Sequence, residues 1–148
     1  MEHMAYMEAL FENAPEGIVL LDNEERVLRA NNEFLLLFGY SRQEVLGKRI
    51  NSLIVPEEYR EEGIRLTRKV QKGFKVVGET VRKRKDGKLI NVSVPGTPVN
   101  MEEKKIGVFA IYRDITEKKQ AEQALRKKEQ ELLQAHFKSY PDAGQNYR

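Results

Sequence analysis

The sequence predicts an α+β fold: one antiparallel sheet of five strands, short helices on one of its faces, and a long helix leaving the last strand. Three observations carry this expectation. In residues 106–113, Ile106, Val108, Ala110 and Tyr112 alternate with Gly107, Phe109, Ile111 and Arg113. Both sets are largely apolar, the pattern of a strand covered on both faces rather than one at an edge. Asp86-Gly87 stands between two β-type segments, a hairpin signal. Beyond Ile115 the chain is charged and helical in pattern, with no Gly or Pro before Pro141.

Composition bounds the function. A chain of 148 residues is long enough for one domain with a real core plus extensions. No apolar run approaches the ~20 residues that span a bilayer. Residues 1–7 lack the basic flank and apolar stretch of a secretory signal. There is no Cys, which excludes disulfides, cysteine nucleophiles, thiolate zinc sites and iron–sulfur clusters, and fits a cytoplasmic setting. The 26 basic residues are interleaved with 23 acidic ones, a balance too mild to argue for nucleic acid. The most basic run, residues 82–88, holds no base-stacking aromatic and reads as a solvated turn.

Taken in order, residues 5–13 form a short amphipathic helix with Tyr6, Met7, Leu10 and Phe11 on one face, ended by Pro15. Residues 17–22 and 26–30 are strands joined by a polar turn. Asn31 is placed to cap the next helix, with Phe34, Leu37 and Phe38 at helical spacing and Gly39 at its left-handed end. Ser41 with Glu44 makes a capping box for a further short helix, in which Val45 and Leu46 point inward and Gly47 stops the run. Residues 48–55 read as an irregular connector anchored by Ile50, Leu53 and Ile54. Pro56 suits the first position of a helix whose glutamates (57, 58, 61, 62) crowd its start and whose Arg68, Lys69 and Lys72 sit at its end. Those carboxylates are dipole-matched surface charge rather than a metal or acid–base site. Tyr59, Gly63, Leu66 and Val70 form its inner stripe. Residues 74–84, 89–94 and 106–113 are three consecutive antiparallel strands. Pro95 and Pro98 cannot donate ladder hydrogen bonds, so pairing is expected to bulge or break there, and residues 100–105 form a loop.

Several short motifs then fall into one order: Phe11-Glu12-Asn13-Ala14-Pro15-Glu16-Gly17-Ile18; Asn31 with Phe34; Gly39-Tyr40-Ser41 with Glu44 and Gly47; Arg84-Lys85-Asp86-Gly87; and Arg113-Asp114-Ile115-Thr116-Glu117. Each is weak alone, but their order and spacing resemble a PAS domain with its C-terminal PAC motif, the sensory box of bacterial and archaeal signalling proteins. The resemblance runs over about residues 10–133. It implies strand order 2-1-5-4-3, with residues 106–113 central. It also implies an input or relay role in a histidine kinase, diguanylate cyclase, chemoreceptor or transcription regulator. Asp114, Ile115 and Thr116 resemble the family's junction between last strand and output helix. The implied organisation is a flanking helix (4–14), a core (15–114), an output helix (115–135) and a linker or tail (136–148).

The hollow between sheet and helices is the default small-molecule site. Phe34, Phe38, Leu53, Ile54, Leu66, Val92 and Tyr112 are its candidate lining, each also a plain core position. The lack of Cys excludes a flavin–cysteine adduct and a Cys-linked chromophore. Haem-binding members use a His on the helical side of the pocket, whereas His3 and His136 both fall outside the expected core, which argues against haem. The absence of Trp disfavours a non-covalent flavin without excluding it. A small metabolite, a carboxylic or fatty acid, and an empty core that only dimerises stay open. No metal site and no catalytic residue is assigned.

Along residues 115–135, Ala121, Leu125, Leu132 and Ala135 recur at heptad-like spacing, with Lys118 and Lys128 interrupting the seam. The expected partners are a second copy, through this helix and the N-terminal one, and an output domain covalently linked in a parent protein that is itself free to carry a membrane anchor elsewhere. His136 has Pro141 at the spacing of a phospho-acceptor, but Phe137 follows where an acid should orient and deprotonate the imidazole. The chain is therefore expected to be no enzyme, with a kinase fragment as the least favoured alternative.

Overall fold

A computed structural model describes residues 2–102 and 104–139. The chain divides into two compact units, residues 1–115 and 116–148.

In the first unit, helix α1 (Glu2–Glu12) precedes strands β1 (Gly17–Leu21) and β2 (Val27–Ala30). Four short helical pieces follow: α2 (Asn32–Phe38), α3 (Arg42–Val45), α4 (Ile50–Ile54) and a 3-10 turn (Glu57–Tyr59) that leads into α5 (Arg60–Gln71). Strands β3 (Glu79–Lys83), β4 (Leu89–Ser93), β5 (Gly96–Met101) and β6 (Lys104–Asp114) complete an antiparallel sheet. Its order is β2-β1-β6-β4-β3, with β5 also paired to β6. The central position expected for residues 106–113 holds, since β6 lies between β1 and β4.

The local signals act as the sequence indicated. Asn31 Oδ1 accepts from the Phe34 amide and Gly39 closes α2 at φ 77°. The Ser41–Glu44 capping box is formed in both directions. Asp86-Gly87 closes the β3–β4 hairpin, with the Gly87 amide donating to the Arg84 carbonyl and Gly87 at φ 90°.

Other elements depart from expectation. The sheet has six strands, because residues 96–101 pair with β6, including residues 100–101 expected in a loop; the expected break falls at Val94–Pro95, between β4 and β5, and the β5–β6 register shifts between Val99 and Asn100. Gly96 exchanges both backbone hydrogen bonds with Val76 on the side away from β6. Two residues on, the missing N–H of Pro98 faces that same outer side, so the proline costs the β5–β6 ladder nothing. Strand β3 is shorter than residues 74–84: Gly73 turns at φ 93°, Phe74 and Val77 are exposed, and Val76 makes only an isolated bridge. Residues 50–54 are helical, with Ile50 and Ile54 one turn apart and both buried. Leu46 leaves the helical conformation at the end of α3 and is 41% exposed, not inward. Pro56 precedes the 3-10 turn and α5 proper starts at Arg60. Only one face of β6 is fully covered, and only over residues 108–112: Val108, Ala110 and Tyr112 are buried, Phe109 and Ile111 on the other face are half-buried, and Ile106 is 43% exposed. The N-terminal helix runs over residues 2–12 rather than 4–14 and buries no residue completely. It is fixed by charge: Glu8 and Glu12 pair with Arg29, Glu12 with Arg42 at 3.0 Å, and Arg29 stacks on the Phe11 ring at 4.4 Å.

The core lies between the inner sheet face and the helices. Phe34, Phe38 and Tyr112 form an aromatic cluster with ring centroids 4.8–5.6 Å apart. Among its described residues the second unit contains helix α6 (Thr116–Ser139), longer than the expected residues 115–135. Glu122 and Arg126 approach to 3.9 Å along it. Of the expected tail (136–148), residues 136–139 belong to α6, and residues 140–148 with Pro141 lie outside the described residues.

Candidate functional site

A cavity of about 60 Å³, partly open to solvent, lies between α4, α5 and the inner face of the sheet. Its apolar wall comes from strands and helices that must bury branched side chains, among them Leu21, Ile50, Val70, Val76, Val94 and Val108. Gly63 lets α5 approach α4, because an added Cβ would stand 3.2 Å from Val55. Gly96 does the same under α5, where a Cβ would meet Val76 at 3.0 Å and Val70 at 3.4 Å.

The polar wall has two parts. On the side of α4, Asn51 Nδ2 donates to Glu25 Oε2 at 2.9 Å and to Thr67 Oγ1 at 3.1 Å, while Thr67 donates to the Gly63 carbonyl. Glu25 holds a left-handed φ of 64°. Burial raises its carboxyl pKa, opposed by the Asn51 amide, the Arg49 charge and Thr67. Asp22, also on the wall, is occupied by the amides of Glu24 and Arg26. A surface groove of about 550 Å³ shares Glu25, Asn51, Thr67 and Gln71 with the cavity wall, so these residues form its rim.

At the sheet side stand Arg82 and Tyr112. Arg82 is 4% exposed. Its guanidinium donates to Glu62 Oε1 at 2.8 Å, to the Val81 carbonyl at 2.9 Å and to Thr80 Oγ1 at 3.3 Å; Thr80 in turn donates to Glu62. This network ties α5 to β3. Tyr112 is 6% exposed, and its ring packs on Phe34 and Phe38. Burial pushes its pKa up to about 12 against the favourable field of Arg82, so the phenol is a neutral donor at every ordinary pH.

Of the seven residues expected to line the hollow, Leu66 and Tyr112 face this cavity. Phe34, Phe38, Ile54 and Val92 are wholly buried in the adjoining core, and Leu53 packs against it half-buried. The expectation missed Arg82, Glu25, Asn51 and Thr67. Arg82 was nevertheless legible: the Asp86-Gly87 turn sets it opposite Ile90, and a residue opposite an inward Ile shares its face. Neither His3 nor His136 lines the cavity, and the described residues hold no cluster of metal-ligating side chains.

The cavity wall is joined to the chain's exit. Val108, Ala110 and Tyr112 on β6 line it; β6 ends at Asp114, and α6 begins at Thr116. The intervening Ile115 is buried, and its amide donates to the Asn91 carbonyl at 2.8 Å.

Comparison with known proteins agrees with this architecture. Residues 15–117 match a family model described as a PAS domain. The chain is 34% identical over 133 residues to the sensor histidine kinase TmoS of Ectopseudomonas mendocina, covering 88% of this chain and 14% of that protein. The PAS domain of an HTR-like protein from Haloarcula marismortui superposes with a TM-score of 0.64 at 30% identity, over 77% of this chain and 93% of the other. A PAS domain from Colwellia psychrerythraea superposes at 0.69 with 25% identity, over 78% and 98%. The fold, the motif order and these likenesses together show that the chain belongs to the PAS domain family.

Proposed function

We propose that this chain is the sensory or relay module of a larger signalling protein: a histidine kinase, a diguanylate cyclase or a transcription regulator. It binds a small molecule in the helix–sheet cavity and passes the change along β6, through Asp114, Ile115 and Thr116, into α6. The observation that carries this reading is the wall of the cavity itself. Three of its residues stand on a central strand that reaches the outgoing helix after one buried residue. The likeness to a sensor histidine kinase along most of this chain supports the signalling setting.

The size of the cavity favours a ligand of few atoms. A water needs about 10–15 Å³ of such space, so about 60 Å³ suits about four to five heavy atoms rather than a flavin or a fatty acid. We assign the module no catalytic role of its own, because Phe137 stands where a phospho-acceptor histidine is followed directly by an acid. Leu125 and Leu132, one heptad apart on α6, are 59% and 63% exposed, which favours pairing of two copies through this helix in the cytoplasm. Native mass spectrometry of freshly purified chain tests both parts. Retained small-molecule mass with a doubled subunit mass supports them; a bare monomer at micromolar concentration contradicts them.

A further inference from the structure

The proposed sensory reading leaves the ligand's chemistry open, and the inference here rests on that reading. We infer that the cavity takes a short-chain monocarboxylate, of acetate to propionate size, held by Arg82 and the Tyr112 hydroxyl and admitted by release of Glu62 from Arg82.

The two deeply buried polar groups on the cavity wall are both donors. Arg82 and Tyr112 are each more than nine-tenths buried, and both line the cavity. A phenol hydroxyl at a cavity wall gains a hydrogen bond when a ligand brings an acceptor. An alcohol or ketone would satisfy the hydroxyl, but only an anion also uses the guanidinium, which binds carboxylates through two parallel N–H groups. The contacts to Glu62, Thr80 and Val81 use three of its five N–H bonds. The remaining wall is branched aliphatic, matching one or two carbons beyond the carboxylate. The volume matches an acid of two or three carbons.

Charge determines what moves. Arg82 is already neutralised by Glu62, so an added carboxylate would leave one uncompensated buried negative charge. Glu62 is the partner able to leave. Its side chain is 24% exposed and sits in the first turn of α5, so it reaches water by a change of rotamer. The other carboxylates on the wall, Asp22 and Glu25, are half-exposed at the rim and have their own hydrogen-bond donors. Ligand entry would thus exchange one carboxylate for another at Arg82, unfasten α5 from β3, and place the ligand against Tyr112 on β6.

The test uses the full chain, with ligand-detected NMR titrations of acetate and propionate, and of acetamide and 1-propanol as neutral analogues of similar size. The expected result is saturable binding of the acids and at least about tenfold weaker binding of the neutral analogues. Tyr112→Phe should weaken propionate about five- to tenfold, since one hydrogen bond is lost in an otherwise intact wall. Glu62→Gln removes the competing charge and should tighten propionate several-fold. Tighter binding on loss of a carboxylate is an effect that mere unfolding does not give. Equal or better binding of the neutral analogues overturns the carboxylate assignment while keeping a small-molecule sensor. Propionate affinity unchanged in both variants overturns the Arg82–Tyr112 site. If none of the four probes binds, both the assignment and the small-ligand reading fall.

Discussion

Replacing Asn31 by Ala should unfold this domain more readily than any other single polar truncation in its core. Asn31 is fully buried, and its side chain makes four hydrogen bonds. Oδ1 accepts from the amides of Ile18 at 2.8 Å and Phe34 at 3.0 Å; Nδ2 donates to the carbonyls of Phe11 at 3.1 Å and Glu16 at 2.9 Å. One side chain therefore caps α2, fixes the start of β1 and holds the end of α1. Loss of the cap costs about 1 kcal/mol. Orphaning the Ile18 amide costs about 1–2 kcal/mol more, and the two carbonyls, nearer to water, about 0.5 kcal/mol each. The sum is about 3–4 kcal/mol, a large share of a small domain's stability. For a unit of this size it corresponds to a fall in Tm of at least about 12 °C. Urea denaturation followed by far-UV circular dichroism measures it, with an unchanged m value showing that the native surface is kept. Asn31→Asp separates the roles. It preserves both acceptor bonds but turns a carboxylate toward two carbonyls, so its deficit should shrink as the pH falls and the acid becomes a donor. A loss below about 1 kcal/mol for Asn31→Ala would refute the claim that this residue organises the junction of α1, β1 and α2.

Three further perturbations follow from the same structure. Gly107→Ala would bring a Cβ to 2.2 Å from the Leu21 carbonyl oxygen, so β1 and β6 must shift; a loss of about 1–3 kcal/mol in urea denaturation is expected, and a neutral result would contradict the close strand approach. Glu25 has its folded pKa raised, chiefly by burial, so its contribution to stability is present below the unfolded carboxyl pKa and lost as pH rises through the folded value. Glu25→Gln should therefore be more stable than the parent at pH 7, with the difference closing toward pH 4; a gap that widens in acid would reverse the assignment. Glu44 shows the opposite sign: Lys85 at 2.6 Å and Ser41 hold its carboxyl at about 2, so its contribution is present above the ordinary carboxylate range and lost as pH falls toward 2. Glu44→Gln should flatten that acid limb in a pH series of melting temperatures.

What the sequence made legible was local chemistry with a single structural solution. Asn31 before an apolar helical repeat, Ser41 three residues before Glu44, and Asp86-Gly87 between strands each satisfy backbone groups in one way, and each appears as read. The central place of residues 106–113 was legible for a different reason, because apolar residues on both faces do not suit an edge. Strand β5 was hidden because Pro95 and Pro98 count against a strand, and only the orientation set by the Gly96–Val76 pair shows that the proline nitrogen faces outward. Leu46 looked inward by composition, yet its backbone leaves the helix one residue too soon. Of the aromatic residues expected to line a pocket, Phe34 and Phe38 instead fill the core against one another and against Tyr112, which alone of the three also lines the cavity. The polar wall was obscured by Arg82's position beside a basic turn, where charge reads as solvated unless the hairpin register is counted back.

A sensor of this design requires energetic coupling between the cavity wall and the outgoing helix through β6. Ala110→Val puts two methyl groups into the cavity in place of a ligand, at a site wholly within the first unit. Amide hydrogen exchange of this variant against the parent chain should show altered protection in residues 108–115 and, with it, a change of about threefold or more in the first two turns of α6. Altered exchange confined to β6 and its neighbours, with α6 unchanged from Thr116 onward, would contradict it.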